Sequence, residues 1–522
     1  MAGFVDVLLR GLALCGQAVA VGGVFFGLVL LRPALAARPT LAGLLARSLA
    51  TTAAGAAAAA CAQVLSLGVQ VVALAGDGGW PLREILATTY FRAAAGRILA
   101  GALVLVGCTV VRRRAVGWGW LLQLVGVAGL TLAAAWTSHA AARLGPRAFL
   151  LTLDALHQLA AGVWIGGLAQ LLVLAWGRSA PPWPAGLLKR FSATALAAVA
   201  VLVAAGAGLA FAYVDGVGAL LGTSYGLMVL SKAAVLAGLL VLGALNFFTV
   251  RQLPDTADVG PLRLRRLVEV EFGLGATVLF VAASLTSLPP AIDVVAERAT
   301  SAEVMRRLTP KPPTLTSPRI ADMPVDDVKA PRTDADRAWS EFNHNVAGLF
   351  VLGMGVLALL HATGRARWAR HWPLIFLGLA AMLLVRDDPG DWPLGPRGFW
   401  AGMLAPEVFQ HRMFVLLITG FAVFEWMVRA GRLTSTRCAL VFPFLCAVGG
   451  GLLLTHSHAS LNIKEEFLNE LTHAPLGLLG VLVGWGRWLE LRLPEASARL
   501  PRWLWSGALV AVGLLLLLYR ER

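Results

Sequence analysis

Apolar residues run through this chain in long blocks, broken at intervals by short clusters of arginine or of aspartate and glutamate. The blocks are rich in Leu, Ala, Val and Gly and lack the strict alternation of barrel strands, so they predict helices. Many exceed the roughly 18 apolar residues that read as a membrane span. About fourteen spans are counted. The first eight lie near 4–31, 41–75, 91–111, 117–137, 148–176, 191–213, 226–250 and 266–288. The other six lie near 345–361, 372–386, 408–429, 437–455, 473–490 and 502–519. The opening stretch has neither a charged n-region nor a clear small-residue cleavage site, and reads as the first span rather than a removed signal.

Charge orients these spans. Arginine-rich connections follow the odd-numbered ones, as in Arg112-Arg113-Arg114, Lys189-Arg190, Arg265-Arg266 and the group Arg365, Arg367 and Arg370. The alternate connections are acidic or neutral, with Asp77 and Glu84, Asp215, Asp387-Asp388 with Asp391, and Glu465-Glu466 with Glu470. The positive-inside rule then turns both termini outward. The predicted fold class is all-α: a polytopic helical membrane protein of about fourteen transmembrane helices, eight plus six. A proline-rich connection of mixed charge at 289–343 divides it and reads as a periplasmic linker. The expected domains are 1–288, with eight spans, and 344–522, with six.

Composition agrees. The chain is 58% hydrophobic and 14% charged, too few charges for a soluble protein of 522 residues. Its net charge of +15 is accounted for by the inward loops, which leaves no reason to expect nucleic acid. The lipid bilayer is the expected surrounding. The five cysteines form no CxxC and read as buried free thiols. No P-loop, nucleophile elbow or HExxH appears, so hydrolytic and phosphoryl-transfer chemistry finds no support. The chain reads as a non-enzyme, with haem-dependent redox chemistry left open.

Nine histidines remain, and seven lie at or near outward span ends. His344, His411, His456, His458 and His473 belong to spans 9, 11, 12 and 13, and form a candidate metal-capturing cluster. The stretch 462–472 reads as a short interfacial helix begun by Asn462, carrying the chain from His458 back to His473. In the eight-span half, His139 ends span 4. Asp154, His157 and Trp164 follow a helical spacing that puts them on one face of span 5. Lys232 in span 7 lies at comparable depth, and Asp154 is its candidate partner, because intramembrane charges are costly and usually functional. Gly166-Gly167 is expected to admit a close helix, Asn246 to bond a neighbouring helix, and Gly449-Gly450-Gly451 to serve packing. Asp387, Asp388, Asp391 and Glu407 offer negative charge that would attract cations to the outward side. His361 and His371 flank an inward loop and read as surface residues.

These residues resemble a known family. The D-x-x-H and W-x-G-G-L of Asp154–Leu168, Tyr225-Gly226, Lys232 and Asn246 are similar to the CopD/PcoD copper-resistance family of bacterial inner-membrane proteins. The resemblance covers roughly 140–255, and more loosely the eight-span half. The N-H-N at 343–345, Q-H-R at 410–412, T-H-S-H at 455–458 and T-H-A-P at 472–475 look like the C-terminal region of longer members. The resemblance implies copper ions as cargo and a multi-pass inner-membrane protein. The leading expectation is a copper importer that captures the ion at the five-histidine cluster and passes it to His139, Asp154, His157 and Lys232, with a periplasmic copper chaperone as a possible donor. One alternative is a haem-binding oxidoreductase with haem b on His139 and His157 or on a pair from the second half. Another is a membrane scaffold for a periplasmic copper protein.

Overall fold

The computed structural model describes residues 2–37, 41–76, 79–114, 117–175, 183–254, 258–259, 261–320, 333–455 and 462–521. Fourteen helices among these are long and apolar enough to cross a membrane. They are α1 Gly3–Leu35, α2 Ala42–Gly76, α3 Thr89–Arg113, α4 Gly117–Trp136, α5 Arg147–Leu174, α6 Ala185–Tyr213, α7 Ser224–Arg251 and α8 Arg265–Leu285. Six more follow: α9 Asp334–Ala362, α10 Arg367–Arg386, α11 Val408–Arg429, α12 Thr436–Thr455, α13 Ile463–Arg492 and α14 Glu495–Leu517. The only strands among the described residues are β1 Trp183–Pro184 and β2 Asp258–Val259, an antiparallel pair with Trp183 opposite Val259. The molecule is an all-α, multi-pass membrane protein.

The chain folds as two compact units. One comprises Met1–Arg298 with Leu454–Glu466, the other Ala299–Leu453 with Phe467–Arg522. In the first unit, α1 packs against α2, α5 and α8. Glycine makes the closest of these approaches possible. A Cβ on Gly166 of α5 would collide with the Ala18 carbonyl of α1, and one on Gly22 would collide with the Gly166 backbone. Both helices widen by a π turn, Phe26–Leu31 in α1 and Gly162–Gly166 in α5. In the second unit, α9 and α14 pack as closely: a Cβ on Gly355 would lie 2.6 Å from the Val510 nitrogen. Gly450 does the same for α12 on α13, 2.5 Å from the Val481 nitrogen. Exposed Leu, Val and Phe side chains such as Leu121, Phe211 and Leu417 cover the flanks, as a lipid-facing surface requires.

Two helices start earlier than their hydropathy suggests. Thr333 and Asp336 form a capping box that begins α9 ten residues ahead of His344. Asn462 accepts from the Glu465 amide and begins α13, as expected of it. No separate interfacial helix follows: the chain continues without a break through Pro475 to Arg492. The amphipathic stretch is simply the outer end of the span, because Phe467 and Leu471 are buried within the unit rather than lying flat on a membrane. Part of the proline-rich connection is also ordered. Thr300 and Glu303 cap a short helix, Ser301–Leu308, and Thr314 bonds to Asn345 and Glu341 of α9.

The five cysteines are all free, but only Cys108 is buried; Cys61 is exposed on α2 and the other three are intermediate. The expectation of uniformly buried thiols is thus corrected, since α2 turns Cys61 away from its helix neighbours.

Substituting Gly166 by Val is expected to destabilise the detergent-solubilised protein by at least the 1–3 kcal/mol typical of overpacking, because backbone must move. Gly238→Ala, whose added methyl meets only Leu274 at 3.8 Å, should leave the thermal unfolding midpoint unchanged.

Candidate functional site

Each unit carries histidines on or just beyond its long helices. In the second unit, His344 and His473 each sit ten residues into a long helix, α9 of 29 residues and α13 of 30. A 30-residue helix is about 45 Å long, against a hydrocarbon core of about 30 Å. Both helices are therefore longer than the core they cross.

The two rings meet edge to face, 5.9 Å apart at 85°. Each is held in the same way. His344 Nδ1 donates to the Ser340 carbonyl at 2.8 Å, and His473 Nδ1 to the Asn469 carbonyl at 2.8 Å, one helical turn earlier in both cases. A carbonyl can only accept, so Nδ1 bears the hydrogen and Nε2 carries the lone pair of each neutral ring. A backbone carbonyl on the remote ring nitrogen is the usual support of a metal-bound histidine. Tyr519, just past α14, stacks on His344 at 4.0 Å. The Arg307 guanidinium lies over the Tyr519 ring at 5.7 Å and bonds to Leu468 and Asn469 of α13. Sequence reading missed Tyr519 and Arg307; no motif joins them to the histidines, and only the fold brings them there.

His411 belongs to a different constellation. Its Nδ1 lies 2.7 Å from Asp388 Oδ1 and 3.7 Å from Asp387 Oδ2. The outward aspartates thus engage a histidine directly, beyond setting a general field. Asp391 instead faces Arg397 at 3.5 Å. The side chain of Glu407, and both His456 and His458, lie outside the described residues. Among the described residues, no three His, Cys, Asp or Glu side chains converge as one metal site. His371 accepts from Trp426 Nε1 at 2.9 Å, so it is a packed residue of the inward end rather than a solvated one.

The first unit gathers the outward ends of α4 to α8 around a second polar group. His139, just after α4, points Nε2 at the Leu285 carbonyl of α8 at 3.3 Å. Its ring packs edgewise on Tyr213 and Tyr225, both at 6.1 Å. Burial, the largest influence on His139, holds its pKa below the ordinary imidazole value of 6.5. His157 Nδ1 donates to the Leu202 carbonyl of α6 at 2.9 Å, in space left by Gly206. Asp154 lies close to Ser138 and Gln158 and feels the charge of Lys232. One carboxyl oxygen, Oδ2, is buried without a hydrogen-bond partner. No ion pair within 4 Å joins Asp154 to Lys232 among the described residues, so the two interact through space rather than by contact. Two bonded pairs close the group from outside, Arg143 with Asp293 at 2.6 Å and Arg298 with Asp215 at 2.7 Å.

Gln158 also continues inward. It accepts from Gln17 at 2.9 Å, and Gln17 accepts from the buried Arg97, which also bonds Gln63 at 2.8 Å. Trp164 does not join this group. The π turn that begins at Gly162 rotates it away from the face of Asp154 and His157, and its Nε1 donates to Glu271 of α8 at 3.0 Å. Asn246 bonds a neighbouring helix as expected, through the other oxygen of Glu271 at 2.6 Å. Glu271 itself carried no sequence signal, being one of two acids, with Glu269, near the start of its span.

The haem alternative fits these residues poorly. His139 and His157 make no ring contact with each other and point their bonded nitrogens at different helices, α8 and α6.

Fold and residues together define a multi-pass helical membrane protein with carbonyl-braced imidazoles. Residues 185–285 match the family CopD, copper resistance protein D. The matched segment lies further along than the resemblance first suggested: it holds Lys232, Asn246 and Glu271, while Asp154, His157 and Trp164 precede it. The chain is also similar to the copper transport protein CutJ of Bacillus subtilis (strain 168), 33% identical over 251 residues. That alignment takes in 45% of this chain and 44% of the relative, so under half the length of each is covered. No solved structure matches the chain.

His139 supplies a pH test. Its depressed pKa means that the unfolded chain binds a proton the folded chain does not, so stability is full above pH 6.5 and declines as pH falls below it. His139→Gln should flatten the dependence of the thermal unfolding midpoint on pH below 6.5.

Proposed function

We propose that this protein imports copper across the bacterial inner membrane and captures the ion on its outward face at His344 and His473. The observation that carries this reading is the paired, identically braced geometry of the two rings, 5.9 Å apart with both Nδ1 atoms committed to backbone carbonyls. Neutral imidazole nitrogen suits copper in either oxidation state. His456 and His458 complete the ligand set in this reading. His411 with Asp387 and Asp388 forms a carboxylate–imidazole station beside it in function, since an acidic residue on the remote nitrogen raises the donor strength of the other.

Half-exposed ligands permit exchange with a carrier, and a periplasmic copper chaperone is the proposed donor. Within the first unit, His139, Asp154 and His157 form the intramembrane station. Lys232 beside Asp154 balances charge there when no cation is bound. The family match and the similarity to a copper transport protein support copper as cargo. No ATP-binding motif is present, so movement draws on an ion gradient or on consumption of copper inside.

Copper analysis of the purified full-length protein tests capture. The His344→Ala, His473→Ala double variant should bind copper at least ~10-fold more weakly than wild type, as loss of ligands or of their support does at other metal sites. Binding by the wild type should fall as pH drops below the ordinary imidazole range near 6.5, because the ligands must be unprotonated. Cells expressing the variant should accumulate less copper. Greater accumulation would reverse the proposed direction, and unchanged binding and accumulation would favour the scaffold reading.

A further inference from the structure

The histidine chemistry ends well outside the inner half of the first unit, yet that half holds a buried carboxyl that no step above uses. Glu271 is 3% exposed. It sits six residues from Arg265 along α8, about 9 Å from the arginine-rich end. We propose that Glu271 is a proton-binding site that couples copper movement to the proton gradient. The coupling rests on the copper-import reading; the proton site itself rests on geometry alone.

A carboxylate in a membrane interior needs either a counter-charge or donors on its oxygens. Glu271 has one neutral donor on each: Trp164 on Oε1 at 3.0 Å and Asn246 on Oε2 at 2.6 Å. Among the described residues, no lysine or arginine forms an ion pair with Glu271. On its own helix, Arg265 is engaged by Glu269 at 2.8 Å. Glu271 is therefore a carboxyl whose charge no cation locks in place.

Asn246 makes this site serve two states. To an ionised carboxylate it presents its NH2. When the acid is protonated, a flip of the amide presents its oxygen to the new O–H, while Trp164 goes on donating to the other oxygen. Both forms are then fully hydrogen-bonded. A lysine or arginine in place of Asn246 would hold only the ionised form.

The carboxyl also has access to volume. It lines a cavity of about 390 Å³ together with Trp164, Asn246, Ser192 and mostly apolar side chains. Arg265 lines the same cavity, which places its far end at the arginine-rich side of the unit. One proton added to ionised Glu271 gives the neutral acid, and its release restores the carboxylate; no other reactant is needed.

The same two helices carry the upper group. Asp154 and Trp164 lie on α5, and Lys232 and Asn246 on α7. The π turn Gly162–Gly166 separates the two levels on α5. Such turns are frequent where helices change register at functional sites. A change in the hydrogen bonds of Trp164 and Asn246 thus acts on the helices that position Asp154 and Lys232.

Two measurements test the inference, both on the full-length protein. The first needs no copper: pH-difference infrared spectra of the protein in lipid nanodiscs. A protonated-carboxyl band should appear as pH is lowered, vanish in Glu271→Gln, and shift in frequency in Asn246→Leu, which keeps the carboxyl but removes its amide partner. A wild type without the band, or a band that survives Glu271→Gln, overturns the proposal. If Glu271→Gln does not fold, an unshifted band in Asn246→Leu overturns it. The second measures copper uptake into proteoliposomes with and without an imposed pH gradient. The gradient should raise the wild-type rate several-fold and leave the Glu271→Gln rate within about 1.5-fold of its value without a gradient. Wild-type stimulation retained in Glu271→Gln removes the coupling. A titrating band in a wild type that moves no copper would sink the import reading and leave the proton site standing.

Discussion

Inside a bilayer a polar group has no water to turn to, and this molecule is organised by that constraint. In the first unit, Arg97 has no carboxylate partner among the described residues; Gln63 and Gln17 bond it instead, and Gln17 passes the chain to Gln158 beside Asp154. Four helices, α3, α2, α1 and α5, are tied together by that one run of side chains. The inward end of the second unit solves the same problem with charge. Arg429 pairs with Glu425 at 2.6 Å and lies over the rings of Trp372, Phe442 and Trp505. Glu490 meets Arg487 at 2.5 Å and Arg502 at 2.8 Å. Removing one member of such a network leaves another buried and unsatisfied, which is why these contacts hold helices in register more than they add net stability.

The proposed copper stations sit where the accounting is left incomplete. Asp154 keeps one buried oxygen without a partner, and Lys232 lies near it without touching it. His344 and His473 each commit Nδ1 to a backbone carbonyl. A site that exchanges an ion must be stable without it and offer donors to it. Bracing each ring through a main-chain carbonyl does both, because the brace is independent of the cargo. His139 and His157 in the first unit are braced in the same manner, from Leu285 and Leu202. Four histidines thus share one device across two units that are folded from different helices.

Close helix approach is the second ingredient, and it explains where the geometry is exact enough for chemistry. Gly22 and Gly166 let α1 and α5 touch by backbone, beside the π turn that turns Trp164 toward Glu271. An ordinary α-helix would have kept Trp164 on the face of Asp154 and His157. One widened turn instead gives α5 two polar faces at two depths.

Much of this was legible in the residues alone. Hydropathy determines the number of spans, because transfer into hydrocarbon is decided segment by segment. Local signals were equally readable: Asn462 as a helix start, Gly166 and Gly450 as contact points, Asn246 as a helix-to-helix bond. Each depends on neighbours in sequence or on the size of one side chain. The pairing of His344 with His473, the separate partnership of His411 with Asp388, the capture of Trp164 by Glu271 and the continuity of α13 through Pro475 were not readable. These depend on which helix faces which and on how each is rotated about its axis. In a chain whose spans are apolar nearly all round, no periodicity records that rotation, so it is decided only when the helices pack.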